Sequence, residues 1–140
     1  MKTMTTLALM LLICLSVQAD GSRELAKTLF GIFTGLPTTS ETRHLEHCKD
    51  KQWLISIAKN ARDSNGDGVY KVGVDLQGTS ATLWMVTKPA SMSGRAGFYT
   101  VKFVKTNTGW LAVDGSVIIN SPTALPKDLV AKCTILATGL

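Results

Sequence analysis

Leu25, Leu29, Ile32, Phe33 and Leu36 recur at intervals of one, three and four residues, which places them on one side of an α-helix. The stripe predicts a first helix from near Ser22 to a stop at Gly35-Leu36-Pro37. Thr38 and Glu41 have the spacing of a capping box, in which the hydroxyl receives a free backbone N–H and the carboxylate reaches back. A second helix is therefore predicted over about 39–62, with Leu45, Cys48, Leu54, Ile55, Ile57, Ala58 and Ala61 turned inward. The helical period breaks at Asn65-Gly66-Asp67-Gly68. Beyond it Tyr70, Val72, Val74 and Leu76 alternate with Lys71, Gly73, Asp75 and Gln77, the pattern of a half-buried strand. A second strand near 81–88 holds Leu83, Trp84, Met85 and Val86 and ends at Pro89, and a Ser/Gly-rich loop occupies 89–97. Strands Phe98–Lys105 and Trp110–Ile119 follow, joined by an Asn107-Thr108-Gly109 turn. Leu129–Ala137 alternates at Leu129, Ala131, Cys133 and Ile135 but also fits helical spacing at 129, 133, 136 and 137; a strand is the favoured reading.

This order predicts an α+β fold, two N-terminal helices packed on a curved antiparallel sheet of four to five strands, forming one domain over 20–140 without repeats or linkers. The stretch Phe98-Tyr99-Thr100-Val101-Lys102-Phe103-Val104-Lys105, leading through Gly109-Trp110 to Val113-Asp114, resembles the last hairpin of small exported domains of the nuclear-transport-factor-two-like (NTF2-like), cone-shaped α+β roll. The resemblance covers about 69–119 and implies a pocket between helices and sheet. That family hosts enzymes, ligand binders and interaction modules alike, so the resemblance leaves the chemistry open. The His and Asp pair usual in such a pocket is not evident, since no histidine lies in a predicted strand. A cystatin-like arrangement, one helix on four strands, would leave the first helix unexplained.

Ahead of these elements stand Lys2, an apolar run from Leu7 to Leu15 and the small-x-small triplet Val17-Gln18-Ala19. Residues 1–19 therefore read as a signal peptide, and the expected location is secreted or periplasmic. The run is shorter than the roughly 20 residues of a membrane span, and no later stretch reads as a transmembrane segment. Cys14 raises a lipoprotein reading, disfavoured because Ile13 precedes it where a small residue is needed. Loss of the leader leaves Cys48 and Cys133, for which an oxidising compartment predicts a disulfide; closing so long a loop would stabilise the fold by about 4–5 kcal/mol. Two separate buried thiols are the competing reading. The 15 basic and 10 acidic residues are scattered without a cationic run, so no nucleic-acid partner is expected.

Asp63, Asn65 and Asp67 place oxygens at alternate positions of a loop with glycine at the sixth, as in the first half of a calcium loop. Val74 stands where the twelfth position needs a bidentate Glu, so a helix-to-strand turn is favoured over calcium, the one cofactor considered. His44 and His47 share a helix face but lack a third ligand, and Glu46 points elsewhere. The sequence has no Gly-x-Ser-x-Gly elbow, phosphate-cradling Gly loop or His-Glu-x-x-His, and no catalytic residues are assigned. Aromatic residues crowd the strands, mostly as core. Tyr99 and Trp110 would line a pocket, and Trp84 and Lys102 point opposite their more apolar neighbours. With Met92 and Arg95 of the 89–97 loop they form the candidate ligand-binding set. The expectation is a small exported, non-catalytic binding module of inhibitor, immunity or ligand-carrier type, monomer or homodimer, taking a protein or a small apolar ligand. The alternatives are a pocketed enzyme or small-molecule binder of the roll type, and a membrane-active protein working through an undocked first helix.

Overall fold

The computed structural model describes residues 21–36, 45, 48–63 and 68–140. Helix α1 runs through 21–35 and α2 is Lys51–Asp63; strands β1 (Lys71–Gln77), β2 (Ser80–Val86), β3 (Ala96–Thr106) and β4 (Gly109–Asn120) follow. A short helix α3 (Lys127–Ala131) and a two-residue strand β5 (Ile135–Leu136) complete the chain. All strand pairings are antiparallel and the order across the sheet is β4-β3-β2-β1-β5. This is the expected α+β arrangement of helices on an antiparallel sheet. No helix among the described residues is long and apolar enough to cross a membrane.

The sheet has two covered faces because its strands alternate between them. Val72, Leu83, Met85, Tyr99, Val101 and Phe103 point to one face and meet Leu29, Phe33 and Leu36 of the α1 segment and Leu54, Ala58 and Ala61 of α2 in a single buried cluster. α1 is thus docked along its apolar stripe, which the membrane-active reading needed free. Trp84, Val86, Ala96 and Phe98 point the other way and are covered by Leu125, Cys133 and the half-buried Leu129 and Val130 of the C-terminal segment. Gly73 permits that cover. A Cβ at this position would collide with the backbone carbonyl of Lys132, so only glycine lets the segment lie against β1.

Two element boundaries differ from expectation. The second helix begins at Lys51, not at 39: Leu45 lies in a tight turn, Cys48 N–H donates to its carbonyl at 2.9 Å, and the helical ladder opens with Leu54 N–H on Asp50 C=O, also at 2.9 Å. Thr38 and Glu41, like His44, Glu46 and His47, lie outside the described residues. The expected strand over 129–137 is instead α3 followed by an extended stretch that pairs only at Ile135–Leu136. Pro126 sets a helical entry and Asp128 supplies an acid to the first turn, so Leu129, Val130 and Cys133 follow helical spacing onto Trp84 and Phe98.

The two edges of the sheet are treated differently. On the outer side of β4, Val117 N–H donates to Asp50 Oδ2 at 3.0 Å and the Cys48 thiol donates to Gly115 C=O at 3.1 Å. Side chains of the segment before α2 thereby occupy the place of a neighbouring strand. Among the described residues β1 is paired on its outer side at Lys71 and Val72 alone.

The expected Cys48–Cys133 disulfide is absent; both cysteines are free and buried. Cys48 belongs to the cluster under the helices, against β4, whereas Cys133 belongs to the cluster on the opposite face, over Gly73 of β1. β4 and β1 are three strand spacings apart, about 14 Å, with the sheet between the thiols, while a disulfide requires Cα atoms within about 7 Å. The reading of two separate buried thiols is the one that holds. Reduction should leave the melting temperature unchanged, and intact-mass measurement should show no loss of two hydrogens; a two-dalton deficit removed by reductant would contradict this arrangement. Burial also pushes the Cys133 thiol from 9.0 up to about 11. An acid whose folded pKa is raised stabilises the fold while protonated, so this contribution is complete below pH 9 and vanishes as the pH climbs through 11. Denaturant titrations should show stability falling over that interval, with Cys133→Ala removing part of the decline.

Candidate functional site

The helix-facing core is packed solid through its centre, where Phe33, Leu54, Leu83, Met85 and Val101 are all fully buried. Packing stops at the end of the sheet formed by the C-terminal part of β1 and the β3–β4 hairpin. Here the first described turns of α1 stand off from the strands and leave a cleft of about 660 Å³. Leu25, Val74, Leu76 and Trp110 supply its apolar walls, and Glu24, Thr28, Asp75 and Lys105 its polar rim.

The hairpin sets the position of Trp110. Thr106 Oγ1 donates to Gly109 C=O at 2.8 Å, Thr108 N–H donates to Thr106 Oγ1 at 3.3 Å, and Gly109 takes a φ of 128° that favours glycine. Trp110 then pairs with Lys105 across the ladder, whose ammonium lies 5.7 Å from the indole centroid. Opposite, Gln77 Nε2 donates to Asp75 Oδ2 at 3.0 Å, holding that carboxylate at the rim. Leu76 is 55% exposed in spite of its aliphatic side chain, because the cleft in front of it is open.

The six candidate ligand-binding residues are not brought together. Trp110 lies in the cleft. Tyr99 lies under α2 beside a separate recess of about 90 Å³, bounded by Ile57, Asn60, Val69 and Thr87, and burial raises its phenol above 10.0. Space of that size holds about three waters. Trp84 is buried on the opposite face, with the Lys132 ammonium 5.0 Å from its ring centroid. Lys102 is exposed on that same outer face opposite Asp114, and Met92 and Arg95 are exposed in the β2–β3 loop. The calcium candidates Asn65 and Asp67, and the side chain of Asp63, lie outside the described residues. Among the described residues no group of three His, Cys, Asp or Glu side chains could hold a metal ion.

The cleft residues that sequence reasoning passed over are Leu25, Val74, Leu76 and Lys105. The periodicity of Leu25 and Leu76 assigns both to buried stripes; the signal against it is that Leu76 directly precedes the Gln77-Gly78 end of β1. Near Tyr99 the sequence holds a second constraint. A Cβ on Gly97 would overlap the Tyr99 hydroxyl, so Gly97→Ala should displace the ring and destabilise the fold by about 1–3 kcal/mol, measurable by urea unfolding.

No protein-family model and no curated protein matches the chain. Solved structures similar to it include two described as NTF2-like. One is an NTF2-like protein of unknown function from Silicibacter pomeroyi, 15% identical over 70% of this chain and 96% of that one, with a TM-score of 0.41. The other is an NTF2-like protein with a cystatin-like fold from Novosphingobium aromaticivorans, 16% identical over 84% of this chain and 94% of that one, with a TM-score of 0.42. Both carry the family description that the hairpin resembles.

Proposed function

We propose that the chain is a small exported, non-catalytic binding module whose cleft between α1 and the sheet holds a small, mainly apolar ligand. The observation that carries this reading is the open cleft at the end of the helix-facing core. Its volume of about 660 Å³ falls in the range of small-molecule sites, and its walls are those such sites use: an aromatic ring, aliphatic side chains and a few polar groups at the rim. Trp110 and Leu76 supply the contact area, while Lys105 stands where a polar or anionic end of the ligand would emerge. The leader-like composition of residues 1–19 supports export to a secreted or periplasmic location.

The anionic aromatic dye 1-anilinonaphthalene-8-sulfonate tests the cleft. Its fluorescence should rise and saturate on titration with native protein, and Trp110→Ala and Leu76→Asp should each weaken binding by roughly tenfold, as expected when about 1.4 kcal/mol of contact is lost. Dye binding that is absent, or unchanged in both variants, would remove the cleft from consideration.

A further inference from the structure

The end of the sheet opposite the cleft gathers a different set of residues. Tyr70 and Lys71 open β1, Lys88 follows β2, Arg95 precedes β3, and Ile118 and Ile119 lie near the close of β4; the registers Lys71↔Val86, Gly97↔Ile119 and Ala96↔Asn120 place all of them at one end. The ammonium groups of Lys88 and Lys71 lie 4.6 Å and 5.2 Å from the centroid of the same Tyr70 ring. No carboxylate among the described residues forms an ion pair with Lys71, Lys88 or Arg95. Glu24 and Asp75 sit at the far end beside the cleft, Asp114 faces Lys102, Asp50 is held by Val117, and Asp128 lies in the first turn of α3, which covers Val86 and Phe98 on the outer face without pairing with these cations. Asp63 closes α2 and Asp67 lies between α2 and β1, and the side chains of both are outside the described residues.

Between β2 and β3 the chain projects a well-ordered hairpin. Thr87 N–H donates to Gly97 C=O at 3.0 Å, Gly97 N–H returns to Thr87 Oγ1 at 2.7 Å, Ala90 N–H donates to Arg95 C=O at 2.9 Å, and Gly94 N–H closes on Ala90 C=O at 2.8 Å. At its tip Met92 is 100% exposed, flanked by Lys88 and Arg95, while Ile119 nearby is 45% exposed. Each ammonium is attracted to the ring face, but the two repel each other unless counter-charge lies between them, and the fully exposed Met92 leaves its apolar surface in water.

We propose that this end of the sheet docks on an anionic phospholipid surface, with Met92 entering the acyl boundary and Lys71, Lys88 and Arg95 facing lipid phosphates. Charge complementarity selects an anionic partner, and the fully exposed Met92 among the cations matches a surface that is apolar beneath its charge, as an anionic bilayer is. Tyr70 fits the same surface as an amphipathic ring at headgroup level beneath two snorkelling lysines. Docking at this end leaves the cleft facing away from the membrane.

Vesicle co-sedimentation of the full protein tests the proposal, using phosphatidylcholine alone and phosphatidylcholine mixed with phosphatidylglycerol. Binding is expected on the mixed vesicles only and should weaken as salt is raised. Lys71→Gln with Lys88→Gln should lower partitioning by roughly tenfold or more, since each cation near such a surface contributes about a fivefold factor. Met92→Ser should lower it severalfold while leaving thermal stability unchanged. Dye binding in the cleft should survive all of these substitutions, which separates failure of the surface from failure of the cleft or loss of fold. Equal binding to both vesicle types, no binding to mixed vesicles at low salt, or full binding by Met92→Ser would overturn the proposal. So would tight binding of a labelled oligonucleotide without vesicle binding.

Discussion

Every other feature of this molecule rests on the apolar seam between the helices and the inner halves of β2 and β3. Leu29, Phe33, Leu54, Leu83, Met85, Val101 and Phe103 are withdrawn from water almost completely, and each such side chain contributes about 1.5–3 kcal/mol on burial. Helices satisfy their own backbone hydrogen bonds and strands satisfy one another, so this seam has only to match shapes. Its reach defines the cleft, which begins where α1 no longer covers β1 and the β3–β4 hairpin. The opposite face of the same strands carries apolar residues as well, and the C-terminal segment covers them because Gly73 allows a backbone to lie against a backbone.

Much of the architecture is legible along the chain, and the reasons for the rest are specific. The stripe from Leu25 to Leu36 sees one face only, so its period reports its structure directly. Strands β1 to β4 declare themselves through alternation and through the glycine turns that join them. α3 is hidden because Leu129, Val130 and Cys133 are too few to separate two periods; the deciding signals are Pro126 and Asp128, which prepare a helix start. The cysteine pair misleads for a topological reason: even number and long separation suggest a bridge, but parity in sequence carries no information about which face of a sheet a residue serves. Of the six candidate ligand-binding residues Trp110 alone lines the cleft, and the set is not brought together. Tyr99 and Lys102 share β3, whose alternation sends them to opposite faces, and Trp84 of β2 falls on the Lys102 side; the register between the two strands, which spacing within either does not give, decides that grouping.

The sheet is polarised along its strands. One end has an apolar hollow rimmed by both signs of charge, Glu24 and Asp75 against Lys105. The other carries cations over an aromatic ring and a stiff hairpin with a methionine at its tip. The hydrogen-bonded strands between them hold the cleft and the cationic end in fixed relative orientation.

The side chains of Asp50 and Cys48 on the outer rim of β4 bear on how copies of this chain can associate. A strand approaching from that side finds Val117 N–H and Gly115 C=O already engaged by side chains of the same chain, so that stretch of β4 is guarded against edge-to-edge addition of a second copy.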